Sequence, residues 1–412
     1  MNALIKKGSS FKSSIVLPLD KSIAQRAAIL NVETNDGIIG GDVISTRLAS
    51  KNAIANGEEN LYLGNSGTGI RLLTGYLSGL GRKFNLSGDM SLSKRPMDRI
   101  ADPLNELGAK VSLNNGKPPI KILPSKLKKE FSYRLPIPSA QLKSSLLLAA
   151  LNGKTRIEII EPELSRDHTE KMLKHLECDI KIEYKDSLRR IYLNGEVPIK
   201  EKRVFIPGDF SAASFFIALT LLSENSRLLI PEVGINPSRI AFFDVLKEMN
   251  ADISVENIKE KNNEAYADIL VNSSKLRGRV IPKEIVPNLI DEIPILSMLA
   301  VFAEGSTFFE GLSELKVKES DRLKAIRSLL TEINAKFESN LDDLTISGFG
   351  NNYSFSNAIF NSFNDHRIAM CGAILSSRSI DDIQINNVDS IETSFPNFFE
   401  NLSSLGFTID LS

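Results

Sequence analysis

The sequence predicts an α/β protein made of two similar halves, each built from three repeats. Three observations support this prediction. A strand, loop, helix and strand unit recurs along the chain, an apolar helix precedes each copy, and 412 residues are too many for one ordinary core. With 42% hydrophobic and 25% charged residues, the composition is that of a folded globular protein and excludes a disordered or collagen-like chain.

The recurring unit consists of a strand, a polar loop, an amphipathic helix and a second strand. Four clear copies begin at Arg82, Thr155, Ser226 and Ser306. A weaker copy closes the chain from Asp381, and a shortened first copy is expected near Asp36. Together these segments give six units, or three for each half.

Six apolar helices accompany the six units. They begin at Asp20, Asn65, Ser139, Asp209, Asp291 and Asn364. Because Ala, Leu, Ile and Phe occur on all sides of these helices, the sequence predicts that they are buried inner helices. The amphipathic helices of the repeats are then expected to lie outside them, next to the sheets.

The starts of the inner helices are candidate anion sites. The first turn of a helix has unpaired backbone N–H groups and a partial positive charge, which favour phosphate or carboxylate. The basic residues in or just after these first turns are Lys21, Arg26, Arg71, Lys143 and Arg367. For any single start, an ordinary N-cap explains the Ser, Asp or Asn equally well. Six such starts favour one anion site on which the helix ends of both halves converge.

Several classes of function are excluded. A net charge of −1 gives no general attraction to nucleic acid or to anionic membranes. The glycine-rich segment Gly64–Arg71 has neither P-loop nor dinucleotide spacing, so ATP and NAD are not expected. Cys178 and Cys371 are far apart and lack metal-type spacing, which predicts no disulfide and no metal. No apolar run approaches about 20 residues and the start lacks a signal-peptide core, so a cytoplasmic protein is expected.

Carboxylates lie among basic residues in the second half of the chain. Asp291 and Glu292 open an apolar helix, and Glu319 lies in the charged segment Lys318–Arg322. One carboxylate is explained by capping, and a charge run is more often a solvated face than a site. Carboxylates poised among Lys and Arg are nevertheless what proton transfer between bound anions needs.

Eight motifs, in this order over nearly the whole chain, resemble those of the enolpyruvyl transferase family, and within it the 5-enolpyruvylshikimate-3-phosphate synthases. They are Asp20-Lys21-Ser22 with Arg26, Gly64-Asn65-Ser66-Gly67-Thr68 with Arg71, Arg95-Pro96-Met97, Ser139-Ala140-Gln141 with Lys143, Ser165–Glu170, Asp291–Pro294, Lys318–Arg322, and Asp365-His366-Arg367. Each motif alone is a weak signal, whereas all eight in order are highly specific.

The resemblance implies a fold of two domains, each of three βαβαββ units, in the arrangement called an inside-out α/β barrel. It also implies a double crossover near Pro18 and Gly208. One domain is then discontinuous and comprises residues 1–18 and 208–412, and the other comprises residues 19–207. The domains of this family close over their substrates, which excludes water from the reacting groups.

The implied activity is transfer of the enolpyruvyl group of phosphoenolpyruvate to the 5-hydroxyl of shikimate 3-phosphate. The products are 5-enolpyruvylshikimate 3-phosphate and phosphate, on the shikimate pathway to chorismate and the aromatic amino acids. No cofactor or metal is needed, and the partners are the two small-molecule substrates. The resemblance further implies inhibition by glyphosate in the phosphoenolpyruvate position, and a monomer is expected.

The resemblance assigns roles residue by residue. The implied ligands of shikimate 3-phosphate are Lys21, Ser22, Arg26, Ser139, Ala140, Gln141, Ser165, Asp291 and Lys318. The implied ligands of phosphoenolpyruvate are Lys21, Gly67, Arg95, Gln141, Arg322 and Arg367. Asp291 is the implied base for the attacking hydroxyl and Glu319 the implied acid at the methylene carbon, with Lys21 as a third catalytic residue.

The chain departs from the family at a few positions. Leu19 stands where the family usually has Gly or Ser, and Ala24 and Gln25 replace a Ser or Thr and a His or Asn. Many members have Lys where this chain has Thr393, and some have Asn where it has Glu314. The missing lysine predicts weaker binding of phosphoenolpyruvate rather than a different reaction.

Two alternatives stay open. The related transferase that acts on UDP-N-acetylglucosamine commonly carries a cysteine ahead of the Arg-Pro pair, and residues 88–94 contain none. A catalytically silent anion-binding homologue is favoured by the altered first motif. The presence of Asp291 and Glu319 argues against it, because an anion binder gains nothing from carboxylates in its pocket.

Overall fold

The computed structural model describes residues 1–186 and 188–412. The α-helices are α1 (Lys21–Leu30), α2 (Gly41–Lys51), α3 (Gly67–Ser78), α4 (Asp98–Glu106), α5 (Ala140–Gly153), α6 (His168–His175), α7 (Phe210–Leu222), α8 (Ala241–Glu248), α9 (Val286–Leu289), α10 (Ile293–Val301), α11 (Arg322–Glu332), α12 (His366–Leu375) and α13 (Phe398–Ser404). Short 3₁₀ or π turns lie at Asn52–Asn56, Leu92–Lys94, Ser313–Val317, Ser376–Arg378 and Val388–Thr393.

The β-strands alternate with these helices. They are β1 (Ala3–Lys6), β2 (Lys12–Ser14), β3 (Asn60–Tyr62), β4 (Phe84–Ser87), β5 (Lys110–Asn114), β6 (Lys117–Leu123), β7 (Glu130–Arg134), β8 (Arg156–Glu161), β9 (Asp179–Lys185), β10 (Leu188–Asn194), β11 (Arg227–Gly234), β12 (Ile253–Lys261), β13 (Glu264–Asn272), β14 (Val280–Ile281), β15 (Glu304–Phe309), β16 (Lys336–Ser339), β17 (Leu344–Phe349), β18 (Ile359–Asn361), β19 (Ile383–Asn386) and β20 (Thr408–Leu411). The mixture of helices and small sheets is the α/β class that the repeats predict.

The chain divides into two compact units. Unit 1 comprises Met1–Leu19, Pro207–Lys259 and Ala265–Ser412, and unit 2 comprises Asp20–Ile206 and Glu260–Glu264. Unit 1 is therefore discontinuous in sequence. Its first two segments meet where the chain leaves and returns, because Leu19 and Gly208 form an antiparallel bridge.

Unit 1 contains three four-stranded sheets, and its first residues complete two of them. The strand orders are β12-β13-β11-β2, β14-β15-β17-β16 and β18-β19-β1-β20. Strand β1 pairs antiparallel with both β19 and β20, and β2 pairs parallel with β11. The N-terminal segment is thus held in unit 1 by strands from far along the chain.

Unit 2 contains two four-stranded sheets among its described residues, in the orders β3-β4-β6-β5 and β7-β8-β10-β9. Each has one parallel edge pair, β3 with β4 and β7 with β8, followed by antiparallel pairs. The segment around the shortened first repeat contributes α1, α2 and an isolated parallel bridge between Thr34 and Val204.

The inner helices are buried on all sides, as their composition predicts. Every residue of α7, α10 and α12 is buried. The outer helices α4, α8 and α11 bury one face only, because their charged residues alternate with Ile, Leu and Phe at helical spacing. Among the described residues, no helix combines the length and apolar character needed to cross a membrane.

Candidate active site

Polar side chains connect the starts of the inner helices of unit 2. The amide of Gln141, in the first turn of α5, donates to Thr68 Oγ1 in α3 over 3.0 Å. The amide of Gln25 in α1 donates to Ser66 Oγ, the N-cap of α3, over 2.6 Å. The first turns of α3 and α5 are therefore neighbours, and α1 is tied to the start of α3.

Lys21 is the first residue of α1 and Ser22 follows it. The ammonium of Lys21 lies 3.0 Å from Asp42 Oδ2, and both side chains are at least four-fifths buried. The carbonyl of Ser22 accepts from Arg26 Nη1 over 2.8 Å. Lys21 is thus a cation at a helix start whose orientation is set by a neighbouring carboxylate.

Arg26 lies deeper in unit 2 than the other predicted ligands. It is 3% exposed, and it donates to Thr169 Oγ1 over 2.7 Å and to Ser144 Oγ over 2.9 Å. Burial lowers the pKa of Arg26 to about 10, and the carboxylates of Glu170 and Asp20 offset part of that effect. These contacts tie α1 to α5 and α6, and a role in holding shikimate 3-phosphate stays a prediction.

Gly67 gives space to the guanidinium of Arg95. Gly67 is the first residue of α3, and a Cβ built there would overlap Nη1 of Arg95. Arg95 is 6% exposed and donates to Asn65 Oδ1, while Asn65 Nδ2 donates to Asp89 Oδ2 over 2.8 Å. The glycine therefore lets the predicted phosphoenolpyruvate ligand lie against the helix start.

The start of α5 carries the remaining neutral ligands predicted in unit 2. Ser139 is the N-cap and accepts from the backbone N–H of Leu142 over 3.3 Å. Ala140 and Gln141 form the first turn. This is the capping geometry expected for any helix start, and it leaves the roles of Ser139 and Ala140 in substrate binding as predictions.

Ser165 adjoins a buried group of four charges, Lys143, Glu161, Glu170 and Arg189, here called the buried tetrad. Lys143 Nζ lies 2.9 Å from both Glu161 and Glu170, and Arg189 Nη1 lies 2.5 Å from Glu161 and 3.0 Å from Glu170. The hydroxyl and N–H of Ser165 donate to Glu161. Lys143, counted from the sequence among the basic residues of the helix starts, is therefore paired with two buried carboxylates of the tetrad.

The positive charges of the buried tetrad favour the ionised form of Glu170. Burial alone would raise the pKa of Glu170, but the positive charges of Lys143 and Arg189 outweigh it and hold that pKa below its ordinary value. Among the missed residues, Glu161 has a sequence signal. Glu161 follows Ile157 and Ile159 on β8 at intervals of two residues, and this alternation places all three side chains on the buried face.

Asp291 of unit 1 lies among three arginines from different elements. Its carboxylate is 3.4 Å from Arg322 Nη1, 3.7 Å from Arg239 Nη1 and 3.9 Å from Arg367 Nη2. Its backbone carbonyl also accepts from Arg367 Nη1 over 3.0 Å. The side chain keeps 17% exposure, so the base predicted from the resemblance is reachable from solvent.

Glu319 and Lys318 extend this group, and Arg322 connects it. Arg322 pairs with Glu319 and, over 2.8 Å, with Asp365, the N-cap of α12. Burial would lower the pKa of Arg322, but the carboxylates of Asp365, Glu319 and Asp291 raise it. Burial lowers the pKa of Lys318, and Asp291 opposes that shift. We call Asp291, Lys318, Glu319, Arg322 and Arg367 the Asp291 cluster.

Arg239 is a residue of this region that the motif analysis missed. It is 4% exposed and pairs with Glu292, the N-cap of α10, at 3.9 Å, besides Asp291. The repeats contain a sequence signal that could have identified Arg239. Arginines occur at or just before the outer helices α4, α6, α8 and α11, at positions 95, 166, 239 and 322.

Two departures from the family motifs have clear structural settings. Gln25 is 1% exposed, and besides Ser66 it donates to Thr46 Oγ1 and to the Asp42 carbonyl over 3.3 Å. It therefore helps to hold α2 and α3 against α1. Thr393 lies in the turn Val388–Thr393 and donates to the Ser390 carbonyl over 2.7 Å, so it adds no charge there.

Comparison with known proteins decides the family. The model of the family described as EPSP synthase (3-phosphoshikimate 1-carboxyvinyltransferase) matches residues 40–402. The chain belongs to the EPSP synthase family. The relative named 3-phosphoshikimate 1-carboxyvinyltransferase in Caldicellulosiruptor bescii is 37% identical over 98% of this chain and 99% of the relative. The protein of that name in Hydrogenovibrio crunogenus is 35% identical over 98% of this chain and 97% of the relative.

Solved structures agree with this membership. EPSP synthase from Acinetobacter baumannii has a TM-score of 0.85 and 34% identity, with full coverage of both chains. The enolpyruvyl transferase NikO from Streptomyces tendae has a TM-score of 0.76 at 15% identity, covering 99% of this chain and 98% of that one. The second likeness shows the fold alone, and it confirms the fold class expected for the EPSP synthase family.

Proposed function

We propose that the residues described above carry out the reaction of the EPSP synthase family. The enzyme transfers the enolpyruvyl group of phosphoenolpyruvate to the 5-hydroxyl of shikimate 3-phosphate and releases phosphate. Family membership over residues 40–402 is the observation that carries this function. The curated relatives of matching length bear the corresponding name, 3-phosphoshikimate 1-carboxyvinyltransferase.

Asp291 is proposed as the base of the addition step. It takes the proton of the 5-hydroxyl while that oxygen bonds to C2 of phosphoenolpyruvate. Glu319 protonates the methylene carbon, which becomes a methyl group. The support is chemical: both side chains are carboxylates with about a fifth of their surface exposed, and Arg322 contacts each of them. The product of this step is a tetrahedral intermediate that still carries the phosphate.

The elimination step reverses the proton movement at the methyl carbon. A proton leaves that carbon, the carbon–carbon double bond re-forms, and the bond to the phosphate oxygen breaks. Arg322 and Arg367 are proposed to stabilise the negative charge of the leaving phosphate and of the carboxylate. Both lie in the first turn of a helix of unit 1, where the N–H groups also favour anions.

The remaining predicted ligands are proposed to bind the two substrates from unit 2. Lys21, Arg95 and Gln141 are assigned to phosphoenolpyruvate, together with the backbone at Gly67. Shikimate 3-phosphate is assigned to Lys21, Ser22, Arg26, Ser139, Ala140, Gln141 and Ser165 of unit 2, and to Asp291 and Lys318 of unit 1. The support is that several of these residues occupy first turns of neighbouring helices.

A steady-state assay tests this function. Phosphate release is measured with phosphoenolpyruvate and shikimate 3-phosphate, and the product is identified by its mass. Turnover with formation of the enolpyruvyl ether is expected. Turnover only with UDP-N-acetylglucosamine as acceptor would instead assign the related transferase activity. Tight binding of either substrate with no turnover would identify a silent anion-binding protein.

Glyphosate inhibition is proposed at the phosphoenolpyruvate position. Gly67 has no side chain, so the guanidinium of Arg95, a proposed phosphoenolpyruvate ligand, can lie against the start of α3. A Gly67→Ala variant should displace Arg95 and weaken glyphosate and phosphoenolpyruvate together. The inhibition constant and the KM for phosphoenolpyruvate are measured side by side. A glyphosate inhibition constant unchanged in the variant would contradict this placement.

We further propose a monomeric enzyme of the cytoplasm. Cys178 and Cys371 are both buried free thiols, which accords with a reducing compartment. Size-exclusion chromatography with light scattering measures the mass of the protein, which is compared with the 45.4 kDa of one chain. A mass of twice that value would overturn the monomer, and recovery in a membrane or secreted fraction would overturn the location.

A further inference from the structure

Arg239 lies beside Asp291 and is held by Ser211 and Glu292, of which Glu292 also lies 3.9 Å from Arg367. Its Nη2 donates to the hydroxyl of Ser211, and that hydroxyl donates to Glu292 Oε1. Ser211 is the second residue of α7, and its N–H is capped by Asp209 Oδ1 over 2.7 Å. Arg239 is therefore fastened to the start of α7 on one side and faces Asp291 Oδ2 at 3.7 Å on the other.

The three arginines around Asp291 differ in their other partners. Arg322 forms ion pairs with Glu319 and Asp365, and Arg367 donates to the backbone carbonyl of Asp291. Arg239 is held by Ser211 and Glu292, both of which are buried. Arg239 is thus a buried cation held by two protein groups, whereas Arg322 and Arg367 are assigned to substrate.

A carboxylate that removes a proton must be held at one orientation and kept ionised. Small misplacements of reacting groups cost about 100-fold in rate. The groups that face Asp291 are Arg239, Arg322, Arg367 and Lys318, with the carboxylates of Glu292 and Glu319 in the same region. Arg239 approaches the oxygen Oδ2, and Arg322 approaches Oδ1. Together they fix both ends of the carboxylate.

We infer that Arg239 is a positioning residue, which holds the Asp291 carboxylate in orientation and charge for proton transfer. The inference rests on the proposed function of Asp291 as the base. In this role Arg239 affects the reaction through Asp291, whose Oδ2 it approaches at 3.7 Å, and it is not assigned to either substrate. Ser211 and Glu292 belong to the same arrangement. They hold the guanidinium of Arg239, which in turn orients the carboxylate of Asp291.

The test compares Arg239→Gln and Arg239→Lys with the parent enzyme. In Arg239→Gln, kcat should fall by about 10- to 100-fold, while the KM values of both substrates stay within about twofold. Loss of the neighbouring cation should also move the acid limb of the kcat profile to higher pH. Arg239→Lys restores the charge and should return the acid limb toward its parent position.

A surface arginine of the same unit supplies the matched control. Arg279 pairs with Glu248 over 2.6 Å, and both side chains are about half exposed. Arg279→Gln removes an arginine without touching Asp291 and should match the parent in kcat and pH profile. Thermal melting of each variant separates a loss of folded protein from a loss of rate.

The outcomes are distinct. An unchanged kcat and pH profile in Arg239→Gln would overturn the inference. A raised KM for phosphoenolpyruvate at unchanged kcat would overturn it as well, because that result would make Arg239 a substrate ligand. If Arg239→Gln does not fold, Ser211→Ala replaces it, and a kcat equal to the parent would again overturn the inference. A parent enzyme without turnover would instead refute the proposed function.

Discussion

The buried tetrad of unit 2 and the Asp291 cluster of unit 1 contain the same kinds of residue in different settings. The side chains of Glu161 and Glu170 are 0% exposed, whereas Asp291 is 17% and Glu319 is 20% exposed. A carboxylate that is shielded from solvent and surrounded by cations cannot easily change its protonation state. A partly exposed carboxylate beside basic residues can accept or release a proton. Burial, rather than residue type, separates the buried tetrad from the cluster to which we assign the chemistry.

Distances also separate Asp291 from the tetrad, although they do not separate Glu319, which pairs closely with Arg322. Glu161 lies 2.9 Å from Lys143 and 2.5 Å from Arg189. The arginines around Asp291 lie between 3.4 and 3.9 Å away. Tight pairs offset the cost of burying charge, and breaking one is strongly destabilising. Looser contacts leave a carboxylate oxygen able to accept a proton from a substrate hydroxyl.

The largest effect is expected from Asp291→Asn. The amide keeps the shape but cannot act as a base, so kcat should fall by about 10²- to 10⁴-fold. Phosphate release gives the rate, and thermal melting should show a folded protein. Asp342→Asn is the control, because Asp342 pairs with Lys316 on the surface of the same unit. Near-parent turnover in Asp291→Asn would remove Asp291 from the chemistry.

The buried tetrad should respond in stability. Glu161→Gln leaves Lys143 and Arg189 without one of their carboxylates, and the free energy of unfolding should fall by about 3 to 5 kcal/mol. Urea unfolding followed by circular dichroism measures this change.

Glu158→Gln on the same strand is the matched control. Glu158 pairs with Arg190 over 2.6 Å but is 23% exposed, so its loss should cost less than about 1 kcal/mol. Equal losses in the two variants would show that burial does not set the difference between the two clusters.

Arg367→Ala should separate the substrates within the Asp291 cluster. The KM for phosphoenolpyruvate should rise by about 10-fold or more, with a much smaller change for shikimate 3-phosphate, because one charge-assisted contact is lost. Arg327→Ala on the outer helix α11 is the control, since the guanidinium of Arg327 donates to the carbonyl of Asn340 over 2.7 Å. Equal losses for both substrates would count against the assignment of Arg367.

The smallest effect concerns acid stability of the buried tetrad. The pKa of Glu170 is lower in the folded chain than its ordinary value of 4.5. Its stabilising contribution is therefore complete above the unfolded-state pKa and is lost as the pH falls through the folded-state value. Unfolding by urea from pH 7 to pH 3 should show a steeper loss for the parent than for Glu170→Gln. Identical pH dependence would contradict this role.

Much of the fold could be predicted from the sequence because each inner helix carries its own signal. The helix α7 has no charged residue between Phe210 and Leu222, which indicates burial without knowledge of its neighbours. The repeats then supply the outer helices and sheets. Asp291, Glu319 and Arg367 could be proposed as site residues because each belongs to a compact motif.

The pairing within each cluster could not be predicted in the same way. The tetrad joins residues from α5, β8, α6 and β10, so its pairing depends on long-range packing rather than on local pattern. For this reason the sequence places Lys143 only near a helix start and does not reveal its pairing with Glu161 and Glu170. Arg239 shares its setting with Arg95 and Arg322 but lies in no compact motif, and only its contacts reveal Asp291 as a partner.

The pairing of β1 with β19 and β20 has a consequence for synthesis of the chain. The ribosome releases β1 long before β19 and β20, so the sheet that contains them can close only after residues 383–411 have been made. Unit 2 is encoded mainly by the uninterrupted stretch Asp20–Ile206, and it can fold while the rest is still being made. A premature stop before Ile383 would leave the first strand without either neighbour and expose its edge to aggregation.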